Sequence, residues 1–151
     1  MEATTGYERL LLPTDGSDAT RAAVAEAGRL ATLSGATVHV LSIADSRNRF
    51  ESPSAGLAAA AWERAERDRA EAAVDEAIDA LPDDVATRGV VREGIPKPEV
   101  LDYVADADVD LVVMGTHGRT GLDHYLIGSV TERVVRNAPV PVLTVRAGAT
   151  D

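Results

Sequence analysis

The sequence predicts one α/β domain, an open sheet of five parallel strands with helices on both faces. Two observations carry this. Strand-like and helix-periodic segments alternate along the whole chain, a pattern that calls for crossover connections in a parallel sheet. The run VDLVVM (109–114) is also apolar without alternation, as a strand covered on both faces is. A length of 151 residues fits a single domain, 1–151, that buries its own core.

The elements follow in order. Residues 1–7 are expected to form a tail. The run ERLLLP (8–13) reads as the first strand and ends in Thr14-Asp15-Gly16-Ser17-Asp18, a turn and N-cap cluster. A helix follows, with Ala23, Val24, Ala27, Leu30 and Ala31 at helical spacing and Gly35 at the left-handed closing position. TVHVLSI (37–43) is the second strand. Residues 44–56 have no period and are expected to be a mobile loop.

A long helix is predicted from Leu57 to Leu81, with Val74, Ala77, Ile78 and Leu81 on its buried stripe and Pro82 at its end. Val85 to Arg92 is the third strand. GIPKP (94–98) turns into a short helix running to Ala105, with Pro98 suited to its first position. Val109 to Met114 is the fourth strand, Ser129 to Asn137 the last helix, and Val140 to Arg146 the fifth strand. Residues 147–151 are a second tail.

Composition narrows the function. Twenty-five acidic side chains face 15 basic ones, a net charge of −10, and Lys97 is the one lysine. With no basic stripe to neutralise phosphates, nucleic acid is not the expected partner. Arginine in place of lysine, abundant alanine and excess aspartate suggest a halophile in molar salt, where the Debye length is about 3 Å and self-repulsion is screened. A GC-rich genome and an ordinary acidic protein is the plainer alternative. The absence of cysteine excludes disulfides and thiolate metal sites. The start lacks a signal-like apolar region and no apolar run approaches the ~18 residues of a membrane span, so a soluble cytoplasmic protein is expected, with no membrane partner.

The segment MGTHGRTGLDHYLIGSVTERVV (114–135) places Gly115, Gly118, Gly121 and Gly128 directly after the buried fourth strand. Ligands of open α/β sheets lie beyond the carboxyl ends of the strands, where strand order reverses. If strands one and four are neighbours, as in the order 3-2-1-4-5, the loops after Pro13 and after Met114 share one crevice. A helix starting at Ser129 offers main-chain N–H groups and a partial positive charge, which suits phosphate. Gly128 permits close approach, the hydroxyls of Ser129 and Thr131 and the amide of Val130 can donate, and Arg119 adds a cation. Four or five bonds of about 1.5–3 kcal/mol each, less ordering costs, are enough for micromolar affinity. The loop is neither a Walker A nor a GxGxxG motif. Read from the residues, phosphate binding and a ligand-free glycine-rich turn both stand. A twelve-residue loop, Thr116 to Ile127, leans toward function.

The spacing Gly115-x2-Gly118-x9-Gly128-Ser129 resembles the signature of the nucleotide-binding branch of the universal stress protein family. LLPTDGS (11–17), GIPKPEV (94–100), DLVVMGTHGRTGL (110–122), GSVTERVV (128–135) and PVPVLTV (139–145) are similar to it as well. The resemblance implies a Rossmann-like sheet of order 3-2-1-4-5, as in adenine nucleotide alpha hydrolases, and a bound ATP. It places Pro13, Thr14 and Asp15 at the adenosine end and the backbone of Ile43 at adenine. It also implies Met114, Gly115 and Gly118 at ribose and phosphate, and Gly128, Ser129, Val130 and Thr131 at the phosphate tail. Arg119 stands in a basic slot typical of the family. Magnesium or manganese would bridge the phosphates without dedicated protein ligands. Loop 44–56 is unmatched.

Individual residues carry plainer readings too. Asp15 binds ribose or a metal, or caps the first helix. His117 and His124 are expected to be exposed loop histidines, since no carboxylate or nucleophile accompanies them at a catalytic spacing. His39 is expected to be a strand residue, and Trp62 to pack on the sheet within a solvated Glu/Arg face. The fifth strand, Val140 to Val145, would leave an apolar edge that a second copy closes across a two-fold axis, as the family resemblance also implies. Three functions follow: a nucleotide-dependent stress or signalling dimer, a slow ATPase at the same site, or a nucleotide-free dimer acting through protein contacts.

Overall fold

The computed structural model describes residues 6–46, 56–116 and 128–147. Five parallel strands form one sheet: β1 (Arg9–Pro13), β2 (Thr37–Asp45), β3 (Thr87–Gly94), β4 (Leu111–Gly115) and β5 (Val142–Val145), in the order β3-β2-β1-β4-β5. Four helices connect them: α1 (Arg21–Ser34), α2 (Gly56–Ala80), α3 (Pro96–Asp106) and α4 (Ser129–Asn137). This is the fold class that the alternation of segments predicts. Among the described residues no helix is long and apolar enough to cross a membrane.

Strand side chains alternate between faces, so the sheet has two cores. Leu10, Leu12, Val38, Val40, Leu111 and Val113 pack with α1 and α2 through Val24, Ala27, Val74 and Ala77. Leu11, Leu41, Ile43, Val112 and Met114 pack on the other face with Val100, Tyr103, Val104 and Val134 of α3 and α4. Gly89 of β3 permits α2 to lie close, since a Cβ there would stand 2.7 Å from Val74 Cγ1.

Several boundaries differ from the sequence reading. β2 runs on through Ala44 and Asp45, shortening the expected 44–56 loop, whose residues 47–55 lie outside the described residues. β3 is displaced toward Gly94, and Val85 is a buried turn residue whose N–H donates to Pro82 O. α3 starts at Pro96 rather than Pro98, with Ile95 as its extended N-cap. A 3-10 turn, Asp18–Thr20, precedes α1. Gly35 does close α1, at φ 77°. Trp62 is 40 % exposed, not packed on the sheet, because the buried stripe of α2 begins one turn later at Glu66. The surrounding Glu/Arg face is therefore not wholly solvated.

His39 is buried in β2, and its Nδ1 lies 2.7 Å from the Tyr103 hydroxyl of α3. It takes the structural role expected of it. Burial, and secondarily the charges of Arg88 and Arg9, hold its pKa below the ordinary 6.5. A depressed folded-state pKa means that neutral His39 contributes stability above the unfolded value, and that this share is lost as pH falls below it toward the folded value. Thermal melts from about pH 7.5 to pH 5 should show a smaller acid loss for His39→Gln than for the unaltered chain; equal slopes would contradict this.

Candidate functional site

A crevice opens where β1 and β4 part. Main-chain groups of alternate residues point to opposite neighbours along a strand. Just before β1 the Glu8 carbonyl faces β2, accepting from Thr37 N–H, and within β1 the Arg9 carbonyl faces β4, accepting from Asp110 N–H. By that alternation Pro13 faces β4, and proline has no N–H to give. The β1–β4 ladder accordingly pairs only Leu10 with Leu111 and Leu11 with Val112. Beyond it the β1 side continues toward β2 instead, with Thr14 N–H donating to Leu41 O at 2.8 Å.

The resulting cavity, ≈ 200 Å³, is lined by Pro13, Thr14 and Asp15 after β1, by Ile43 and Asp45 at the end of β2, and by Met114 and Gly115 of β4. Gly128, Ser129, Val130 and Thr131 close it at the start of α4, and Pro96 and Val100 of α3 form part of the wall. Ten of the residues named from sequence therefore meet in one cleft. They are Pro13, Thr14, Asp15, Ile43, Met114, Gly115, Gly128, Ser129, Val130 and Thr131. Gly118, Arg119, His117 and His124 lie outside the described residues.

The start of α4 is anchored twice. Gly128 N–H donates to Thr116 O, joining the two ends of the glycine loop. Thr131 Oγ1, buried, donates to Gly115 O at 2.8 Å and ties the helix to the end of β4. The Thr131 hydroxyl, expected to donate to phosphate, here donates to the main chain of β4. Its effect is to hold the helix mouth in place. Glu132 N–H makes the first helical bond, to Gly128 O at 2.9 Å. The amides of Ser129, Val130 and Thr131 therefore precede the ladder, as the first N–H groups of any helix do. They carry the partial positive charge of the helix end.

Asp15 caps no helix. Its Oδ1 accepts from Ser17 N–H at 3.0 Å, an Asx turn that shapes the loop after β1. At the other side of the cleft stands a pair absent from the sequence reading, Glu66 and Arg69 of α2. Arg69 Nη2 lies 2.9 Å from Glu66 Oε1, and Arg69 is the one cation among the described lining residues. The available signal was Glu66 itself, a carboxylate in register with the apolar stripe of Ala70, Ala73, Val74 and Ala77. Among the described residues no group of three or more His, Asp or Glu is arranged to hold a metal ion.

Comparison with known proteins agrees with this architecture. Residues 6–146 match the model of the universal stress protein family. A universal stress protein of Methanocaldococcus jannaschii is 36% identical over 146 residues, covering 93% of this chain and 82% of its own. The structure of the universal stress protein UspA from Lactobacillus plantarum superposes with a TM-score of 0.81 at 28% identity, over 94% of this chain and 99% of that one. A universal stress protein crystallised in complex with cAMP, also 28% identical, superposes with a TM-score of 0.59 over 95% of this chain and all of its own. With its fold, its glycine-spaced cleft and a family match over nearly its whole length, this chain belongs to the universal stress protein family.

Proposed function

We propose that the cleft binds ATP, and that the protein is a nucleotide-dependent stress or signalling dimer. The observation that carries this is the doubly anchored mouth of α4, whose leading amides line a cavity continuous with the main-chain edge of β2. One end suits a polyanion and the other a flat heterocycle. The relative held in a complex with cAMP supports an adenine nucleotide as the ligand class. In this reading Pro13, Thr14, Asp15 and Ile43 hold adenosine. Met114, Gly115 and Gly118 lie along ribose and the first phosphate, and Gly128, Ser129, Val130 and Thr131 face the tail, with Arg119 beside it.

A net charge of −10 opposes an anionic ligand. Magnesium or manganese carried on the phosphates offsets that repulsion, and so does salt, which shortens its range. The acidic balance supports a halophilic setting for the chain.

The backbone at Gly128, φ −58° and ψ 151°, is one that any residue adopts, so a side chain there takes up space without forcing a new conformation. Calorimetry with ATP and magnesium in molar salt should give micromolar binding, and Gly128→Val should weaken it about a hundredfold or more, a loss of about 3 kcal/mol. No heat from the unaltered chain would contradict the proposal.

The dimer is proposed through Val140–Val145. β5 is an edge strand, and Leu143 in it and Val135 on α4 are exposed. Pro141 O accepts from Val112 N–H and so faces β4. By alternation the N–H groups of Val142 and Thr144 face outward, and the proline does not block that edge. Sedimentation at micromolar protein should show a dimer, and Thr144→Pro should shift it to monomer. A monomer in the unaltered chain would remove this claim.

A further inference from the structure

Among the described residues, the end of β2 has no strand neighbour on its β1 side. Register between the two strands stops at Pro13 and Leu41. Leu41 O faces β1, since it accepts from Thr14 N–H, and by alternation the main-chain groups of Ile43 and Asp45 face the same way, into the space above the end of β1. The pair from α2 occupies part of that space. Glu66 Oε1 accepts from Asp45 N–H at 3.2 Å, and Arg69 Nη2 donates to Ile43 O at 2.9 Å. Arg69 Nη1 donates to Asp15 O at 3.1 Å, so one guanidinium joins the end of β2 to the loop after β1. Its Nε and Nη2 both reach Glu66 Oε1, at 3.1 and 2.9 Å.

Each of the three guanidinium nitrogens thus has a partner, and the partners belong to three different elements. Glu66 is 6 % exposed and sets the plane of the fork. With Glu66 buried and Arg69 partly so, the pair is a poor device for stability alone, because desolvating its charges offsets much of their attraction. A planar fork is a good device for fixing two carbonyls at a set separation, which the single charge of a lysine does not do.

We propose that Arg69, oriented by Glu66, is a positioning residue that sets the nucleoside end of the cleft and with it the preference for adenine over guanine. This rests on the nucleotide reading above. A carbonyl oxygen has two lone pairs. Arg69 takes one at Ile43, and the other is held in a fixed direction for an exocyclic amino group. Adenine presents such an amino group where guanine presents a carbonyl oxygen, and two opposed acceptors leave both without a hydrogen bond. With Arg69 gone, the strand end and the Asp15 loop relax and either base is accommodated.

The test is calorimetry of ATP and GTP, each with magnesium, on the full chain and on Arg69→Gln and Arg69→Lys. The unaltered chain should favour ATP by about tenfold, the effect of one unmade hydrogen bond. Arg69→Gln should reduce that ratio below about threefold, with Arg69→Lys in between. A ratio unchanged in Arg69→Gln, whether or not both affinities fall together, would overturn the proposal and leave Arg69 a structural residue. So would an unaltered chain with no preference, or failure of both variants to fold. An unaltered chain that binds neither nucleotide would instead overturn the nucleotide reading beneath it.

Discussion

The cleft depends on an interruption in the sheet. β1 lies between β2 and β4, where a central strand ordinarily donates to both neighbours along its length. Pro13 withdraws the donor on the β4 side at the last residue of the strand, while the β2 side continues through Thr14. The two halves of the sheet then separate at the point where strand order reverses, which is where the chain connectivity already leaves room between crossover helices. A proline in a central strand would ordinarily weaken it. Here it falls at the carboxyl end, where the lost bond makes an opening.

The opening is then given fixed walls. On the β4 side, Thr131 binds Gly115 and Gly128 binds Thr116, so the start of α4 is held to the strand end although eleven residues, 117–127, intervene between the two points. On the β2 side, Arg69 and Glu66 of α2 supply hydrogen bonds that a neighbouring strand would have made. The polarity differs between the walls. The α4 side offers helix amides, whose partial positive charge does not depend on side chains and suits a chain with few cations. The β2 side carries Asp15, Asp45 and Glu66 against one arginine, an environment suited to an uncharged nucleoside rather than to phosphate.

The architecture was legible because buried parallel strands are apolar runs, and such runs separated by periodic helices leave little choice of topology. LLLP and VDLVVM identified β1 and β4, and Gly35 identified the end of α1. The edges were read less well. β3 is an exposed edge strand with Arg88, Gly89 and Arg92 in it, so its apolar signal is thin and Val85 beside it was mistaken for part of it. Pro96 and Pro98 both suit a helix start, and spacing alone does not choose between them. Of the site residues, Ile43 and Met114 came with the family resemblance. Gly115, Gly128, Ser129, Val130 and Thr131 could be named because glycines and hydroxyls cluster after β4 and at the start of a helix, and Pro13, Thr14 and Asp15 because they follow a buried strand. Arg69 could not, since a charge inside WERAERDRAE reads as a solvated face until the fold shows Glu66 turned inward. The commitment of the Thr131 proton to Gly115 was equally hidden, because it requires the distance between two elements 16 residues apart.

The central claim is that main-chain amides at the mouth of α4 hold the phosphates, and the most direct measurement is a backbone amide NMR titration with ATP and magnesium. The Ser129, Val130 and Thr131 amides should shift most, with saturation at one equivalent, while the amides at the carboxyl end of α4 stay still. Saturable shifts confined to other parts of the surface, or a spectrum that ATP leaves unchanged, would contradict it.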